Sequence, residues 1–539
     1  MRAAISLLTR QRLSDAGYAA RFLLAMPSLV RRPVTPAEAC AAVRRRLGDR
    51  EAAFLALVRR LIERQPAHPY RQLLAMAGCE LGDLARLVER EGLEGALLSL
   101  FHRGVYLTAE EFKRHRRIVR GSTTFVTDPD ALSNPLVRRH LPGETGGSRG
   151  ASLQAPIDLR RLRDEAAGRA LYLEAFRREH DAYAVWAVPG TLPILQMLEF
   201  LAAGARPSRW FSQVAASATG LPGRYFWSSE LPRVGGLLAG VPLPRPEPVP
   251  LDDCRPILLW LARTLRAGGT PHLHTNASAA VRICETAVRE GVDVSGAHFI
   301  MGSEPATPAR LDAIRRAGAR SFPFYGTMDA GVIGQVCAGP EGTAASHLLD
   351  DLIGIVQPGS AAAGRPGLTS RTLLCTTLRA HAPFFLLNVS LGDQAEIAPA
   401  RCGCPLQHAG WGRQLHAIRS HEKLSAGGMT LLDVDVIQVL EAALPARFGG
   451  GPLDYQLVES FDGNGEAELR LLVHPRLGEL DAITITDAFF AAIGSGGAAR
   501  VRELQWRQGG MLRIERAPPH LTPAGKVLHL HRDGGAAPG

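Results

Sequence analysis

Lysine is nearly absent from this chain. Its 539 residues contain Lys113, Lys423 and Lys526 against 59 arginines. The three lysines are therefore candidates for tasks that need a compact, titratable ammonium rather than a planar guanidinium. Cysteine is sparse too. Eight thinly spread residues exclude a disulfide framework and lead to the expectation of a cytoplasmic protein. The longest uncharged apolar stretch, 182–198, is broken by Pro189, Gly190, Thr191, Pro193 and Gln196, which argues against a membrane-spanning helix. Met1-Arg2-Ala3-Ala4-Ile5 opens no sustained apolar region, so no signal peptide is expected. An aromatic-interleaved basic ribbon is missing as well. The net charge of +10 lies in residues 1–120, with 22 basic and 12 acidic groups, whereas residues 121–539 balance at 40 and 40. Scattered over helical segments such as 43–50 and 112–120, the excess reads as a solvated arginine-rich face, and no nucleic-acid partner is expected.

What is present is ordinary globular composition, 46% hydrophobic and 21% charged. Residues 1–118 read as a mostly helical N-terminal part of a large domain, with apolar residues at helical spacing over 52–61 and 81–100. Residues 119–420 read as an α/β core. A Gly/Thr/Pro/Asn-rich loop over 119–150 precedes helical stretches (159–179, 256–267, 277–290, 308–317) that alternate with apolar runs (298–301, 321–324, 372–376, 384–389). The proline-rich segment 241–251 reads as an extended surface connection. Residues 421–539 read as a small α+β unit: a helix over 434–444, paired strands 454–459 and 468–473, a helix over 482–493 and a strand over 511–516.

Five short elements can carry chemistry. Gly143-Glu144-Thr145-Gly146-Gly147-Ser148-Arg149-Gly150 offers backbone N–H groups and hydroxyls to a phosphate chain, although a flexible turn has the same composition. Gly302-Ser303-Glu304-Pro305 and Phe324-Tyr325-Gly326-Thr327-Met328-Asp329 each follow an apolar run, where loops at strand ends line a ligand crevice. There an aromatic ring can stack on a base and a carboxylate can hold Mg²⁺. Leu391-Gly392-Asp393 reads as a strand end whose aspartate can accept ribose hydroxyls, and Thr522-Pro523-Ala524-Gly525-Lys526 as a loop near the C-terminus.

In this order and spacing the elements resemble the adenylate-forming (ANL) superfamily, and within it phenylacetate–CoA ligase and the acyl-protein synthetases of bioluminescence systems. Gly104-Val105-Tyr106-Leu107-Thr108, Ile118-Val119-Arg120-Gly121 and Asn134-Pro135 fit that branch. The resemblance spans about residues 65–530. It implies a large adenylate-forming domain of several α/β subdomains with a small mobile α+β C-terminal domain. It also implies ATP and Mg²⁺ as cofactors and a small carboxylic acid as substrate. The acyl acceptor would be CoA, or a carrier-protein thiol or an amine acting in trans. Thr145, Gly146, Gly147, Ser148 and Gly150 match the phosphate loop. Ser303, Glu304, Pro305, Tyr325, Gly326, Thr327 and Asp393 match the nucleotide-binding elements, and Asp329 the Mg²⁺ ligand. Arg419, Glu422 and Lys423 fall at the hinge, and Lys526 matches the catalytic lysine. The chain departs from the pattern at Arg149, Ala151, Ser152, Met328 and Asp329, and at the hinge. A non-catalytic homologue serving as a binding or scaffold partner is the alternative these departures allow.

Cys337, His347, Cys402 and Cys404 form a Cys₃His set sufficient for tetrahedral structural Zn²⁺, with buried unligated thiols as the alternative. His272 and His274 share one strand face without an evident third ligand. An acyl pocket is expected partly from 186–211, Trp227, Asn276 and Phe324.

Overall fold

The computed structural model describes the chain apart from residues 1, 64, 66–67, 114–116, 127–128, 144–152, 178, 215–222, 340–343, 421–422, 427–428, 462–466, 494–511, 523–524 and 533–539. The N-terminal third is helical, over Arg2–Val30, Pro36–Gly48, Arg50–Val58, Pro69–Met76 and Leu81–His102. The expected helix over 112–120 does not form as one element. A short helix, Ala109–Lys113, is followed by a hairpin of β1 (Ile118–Arg120) and β2 (Thr123–Phe125). Two β-branched residues favour extension, and Gly121, at φ +56°, makes the turn.

Six parallel strands form the first large sheet: β3 (Ala182–Ala187), β4 (Pro207–Ser212), β5 (Pro246–Pro248), β6 (Pro271–Asn276), β7 (His298–Gly302) and β8 (Arg320–Pro323). Their order is β5-β4-β3-β6-β7-β8. The chain runs outward from β3 to one edge, then crosses to β6 and runs to the other. The crevice therefore lies beyond the carboxyl ends of β3 and β6, where the direction reverses. The proline-rich connection contributes β5 at an edge, the place in a sheet where prolines are tolerated.

Seven strands form the second sheet: β9 (Tyr325–Thr327), β10 (Gly331–Val336), β11 (Ser346–Leu348), β12 (Ile353–Val356), β13 (Thr372–Thr377), β14 (Val389–Pro399) and β15 (Arg413–Ser420). Their order is β12-β13-β14-β15-β11-β10-β9, with neighbouring strands antiparallel. The run 384–389 is not a strand as expected. β14 starts only at Val389, so Asp393 lies inside a strand, opposite Ser420, and not at a strand end. Asn388 turns the backbone at φ +52°, and its amide is held by Leu97 O and Val105 O, distant in the chain.

Helices Leu159–Phe176 and Thr191–Ala202 lie between the sheets, sharing one core with Trp210, Ile300 and Phe322 on one side and Val336 on the other. Helices Arg255–Arg266 and Ala277–Glu290 cover the opposite face of the parallel sheet, and N-terminal helices cover the antiparallel sheet. The result is a large α/β part in alternating layers.

After the short hairpin β16 (Lys423–Ala426) and β17 (Met429–Leu432), a separate core forms. It contains β18 (Tyr455–Phe461), β19 (Ala467–Val473), β20 (Leu512–Glu515) and β21 (Leu530–Arg532), in the order β20-β19-β18-β21, with helix Ala482–Ala492 packed on it. This small α+β unit has the elements its sequence pattern predicts. Among the described residues, no helix is long and apolar enough to cross a membrane.

Candidate active site

Lys526 comes from the small unit and is brought to the carboxyl ends of the parallel strands. Its loop is closed by Thr522 N donating to Lys526 O (2.9 Å) and Lys526 N donating to the Thr522 hydroxyl (3.1 Å). Gly525 takes φ +70° and approaches Gln213 and Leu251 so closely that a Cβ there would collide. Val527 N donates to Ser278 Oγ (3.2 Å), and Arg310 donates to Val527 O (3.1 Å). Burial pushes the Lys526 ammonium below its ordinary pKa, and the nearby Glu304 carboxylate opposes that shift.

Glu304, just past β7, faces protein groups. It accepts from Ser278 N and Ser278 Oγ, both at 2.7 Å, and pairs with Arg310 at 3.4 Å. Ser278 lies in the first turn of helix Ala277–Glu290, whose N-terminus Asn276 caps by accepting from Ala279 N. A carboxylate at that end is favoured by the exposed N–H groups and the helix dipole. The preceding Ser303 is at φ +70°, and Gly302 lies so close under the Phe324 ring that no Cβ would fit.

Tyr325 and Asp393 meet across the antiparallel sheet: the phenol donates to Asp393 Oδ2 at 2.8 Å. Burial, reinforced by Asp393, pushes the Tyr325 pKa upward, so the hydroxyl stays a donor. Gly326 lies against Gly331 O and Val332, where a Cβ would clash, and Thr327 Oγ accepts from Ala330 N at 3.1 Å. Asp329 is 2% exposed. One carboxylate oxygen pairs with Lys113 Nζ at 3.2 Å, and the other has no hydrogen-bond partner among the described residues. A buried carboxylate oxygen left open is the donor that a hard cation such as Mg²⁺ takes, so this residue fits the metal of a metal–nucleotide complex.

Residues 144–150, with Thr145, Gly146, Gly147, Ser148 and Gly150, lie outside the described residues, as does Glu422. The stem of that glycine loop is described. Ala155 N donates to Gly143 O at 2.8 Å, and Gly143 lies against Met328, one residue from Asp329. Arg419 is in β15 and Lys423 in β16, on either side of the undescribed hinge residues 421–422.

Cys337, His347, Cys402 and Cys404 come together in a different place, beside the core between the sheets. Their four donor atoms lie within 4.8 Å of one another. Cys402 Sγ and Cys404 Sγ are 3.3 and 3.2 Å from His347 Nε2. His347 Nδ1 is 2.9 Å from Trp411 O. That contact suits an Nδ1 proton, which leaves the Nε2 lone pair facing the sulfurs. Three soft sulfurs and one imidazole at this spacing fit tetrahedral Zn²⁺.

His272 and His274 are both buried on one face of β6. His272 is 3.0 Å from the Tyr172 hydroxyl and 3.5 Å from Asp181, whereas His274 packs against Phe324 with neither ring nitrogen hydrogen-bonded among the described residues. Trp186, expected to line a pocket, is a core residue whose indole donates to Val249 O at 3.0 Å. Trp227 has no described side chain. Sequence reasoning missed Arg310, Glu441, Ser278 and the role of Lys113. Lysine scarcity was the one signal pointing to any of them.

No family model matches this chain, and no curated protein matches it in sequence. Solved structures do. 2-Hydroxyisobutyryl-CoA ligase, in the postadenylation state with 2-HIB-AMP, is 14% identical over 90% of each chain, with a TM-score of 0.53. ATP-bound MatB from Rhodopseudomonas palustris is 13% identical over 75% of this chain and 68% of its own, at TM-score 0.42. MenE from Bacillus subtilis, an O-succinylbenzoate coenzyme A synthetase with ATP and magnesium, is 12% identical over 73% and 70%, at 0.41. The likeness to the first is one of fold: a large α/β part followed by a small C-terminal α+β unit.

Proposed function

We propose that this protein activates a small carboxylic acid with ATP, releasing pyrophosphate, and then passes the acyl group from the acyl-adenylate to CoA, a carrier-protein thiol or an amine. The observation that carries the reading is the placing of half-buried Lys526 at the strand ends, its neighbours Gly525 and Val527 packed on Gln213, Leu251 and Ser278, within electrostatic reach of Glu304. In the first step a carboxylate oxygen attacks the α-phosphorus and the bond to pyrophosphate breaks. Negative charge grows on the phosphoryl oxygens, and the Lys526 ammonium can meet it as a point charge in a crowded site. Asp393 and Tyr325 would orient the ribose and base. Asp329 would hold Mg²⁺, which supplies charge neutralisation on the phosphates when bound. The fold shared with a CoA ligase, including its small C-terminal unit, is consistent with this reading. Turning it about the hinge near Arg419, Glu422 and Lys423 would withdraw Lys526 and admit the acceptor. The finer reading, a phenylacetate–CoA ligase-like branch, rests on the motifs of residues 104–150 alone. Structural Zn²⁺ on Cys337, His347, Cys402 and Cys404 belongs to this proposal.

Carboxylate-dependent exchange of pyrophosphate into ATP is the test. We expect exchange with the cognate acid and a loss of ~10²-fold or more in Lys526→Ala, the scale of one electrostatic stabiliser. Undiminished exchange in that variant would sink the assignment. A second reading, a scaffold that binds nucleotide without chemistry, is favoured by one observation: Lys113 already occupies Asp329. ATP binding without pyrophosphate release is its signature.

A further inference from the structure

Lys113 is one of three lysines in a chain with 59 arginines, and its ammonium lies 3.2 Å from the carboxylate read above as the metal ligand. The position is built. Leu107 bridges to Val389 of β14, and Ser390 N donates to Leu107 O at 2.8 Å, which ties the start of the segment to the strand bearing Asp393. Thr108 and Glu111 then form reciprocal bonds, Thr108 N to Glu111 at 2.9 Å and Glu111 N to the Thr108 hydroxyl at 3.2 Å. Arg120 grips Glu111 through two further bonds of 2.7 and 3.0 Å. The helix Ala109–Lys113 is thus held at its start and at Glu111, with its last residue paired to Asp329.

The lysine side chain is 32% exposed, whereas that of Asp329 is 3% exposed. The ammonium therefore has solvent to move into and the carboxylate does not. The second carboxylate oxygen has no hydrogen-bond partner among the described residues, so its lone pairs are not committed to a donor there. The stem of the glycine loop, at Gly143, lies against Met328 next door, so the phosphate end of a bound nucleotide would be close by.

Resting on the adenylate-forming reading, we propose that Lys113 is an exchangeable counterion of Asp329. In the nucleotide-free protein it neutralises the buried carboxylate and holds divalent cations off it. When metal and triphosphate arrive, the metal takes Asp329 and the ammonium swings onto the phosphates, a second lysine there besides Lys526. An ammonium on a flexible stem can make that move, whereas a guanidinium forked onto the carboxylate is held by its geometry.

The test uses the full chain and Mn²⁺ as the probe, read by electron paramagnetic resonance, together with metal-free ATP binding by calorimetry. Lys113→Met should bind Mn²⁺ about tenfold more tightly without nucleotide, and metal-free ATP about tenfold more weakly because the uncompensated Asp329 carboxylate then repels the phosphates, each the size of one charge contact. Asp329→Asn should lose the Mn²⁺ site, which identifies the carboxylate counted. Unchanged Mn²⁺ and ATP affinities in Lys113→Met overturn the proposal, as does a Mn²⁺ site that survives Asp329→Asn. These readouts need no turnover. A wild-type protein that binds Mn²⁺ and ATP but never exchanges pyrophosphate refutes the adenylate-forming reading. Normal exchange with unaltered affinities in the Lys113 variant refutes only the counterion.

Discussion

At the scale of the residue, scarcity proved informative because arginine is the default cation of this chain. Lys526 sits half-buried in a loop whose neighbours Gly525 and Val527 pack tightly on the large part, Gly525 against Gln213 and Leu251 and Val527 on Ser278, a setting that favours a compact ammonium over a wide guanidinium. Its burial has a pH consequence. Desolvation lowers its pKa below the ordinary 10.5, with Glu304 resisting. In the proposed reaction the ammonium is the form that would meet the phosphoryl charge, and it is present below the lowered pKa and lost above it. Adenylation should therefore decline on the alkaline side before an exposed lysine would titrate, and Glu304→Gln should move that decline to lower pH still. The pH profile of pyrophosphate exchange measures both. An alkaline limb at the ordinary lysine value, unmoved by Glu304→Gln, would contradict the burial argument. Lys113 was equally visible in the sequence, but its partner Asp329 lies 216 positions away, and local spacing carries no information about such a pair.

At the scale of the element, strands and helices with strong periodicity were legible, and segments governed by distant contacts were not. Helix Ala277–Glu290 follows from its apolar spacing, its Asn276 cap and the left-handed Gly291 that ends it. The run 384–389 looks like a strand by composition, yet its backbone is diverted by bonds to residues far away, including Leu387 N to the Tyr70 hydroxyl at 3.0 Å. The Cys/His cluster shows the same contrast. Its residue types were evident, but only the folding of β10, β11 and the 400–404 turn onto one another puts four donors within 4.8 Å. We expect one zinc per chain in protein purified without chelator. Stripping it, or Cys404→Ser, should lower the melting temperature by several degrees, because ligand binding adds to the free energy of the folded state. Elemental analysis with thermal unfolding checks this, and metal-free protein with unchanged melting would rule the site out.

At the scale of the whole molecule, a buried polar latch joins the two parts. Glu441, at the start of the small unit's core, pairs with Arg310 at 2.8 Å and His529 at 2.7 Å, and accepts from the Thr307 hydroxyl. Arg310 in turn holds Glu304 and Val527 O. A second bridge runs from Asp454 through Arg476 to Glu285, the last contact at 2.7 Å. Burial alone would raise the Glu441 carboxyl, but Arg310, His529 and Thr307 outweigh it and bring the pKa down to about 2. A depressed carboxylate stabilises docking above its undocked value, near the ordinary 4.5, and loses that contribution as pH falls towards about 2. Removing one partner of a buried pair costs about 3–5 kcal/mol. Glu441→Ala should therefore undock the small unit, cutting pyrophosphate exchange by tenfold or more while sparing acyl transfer from supplied acyl-adenylate. Equal losses in both half-reactions would show that the latch does not select the Lys526-in pose.

The sequence by itself determined the α/β character, the small C-terminal unit and the order of the chemical elements, because periodicity, turn residues and short motifs are local properties. Only the tertiary structure decided which charges meet: Lys113 on Asp329, Glu304 on Ser278 and Arg310, Glu441 across the two parts. Coulombic and hydrogen-bond energies depend on distance and burial in space, and those are set by packing between segments hundreds of residues apart.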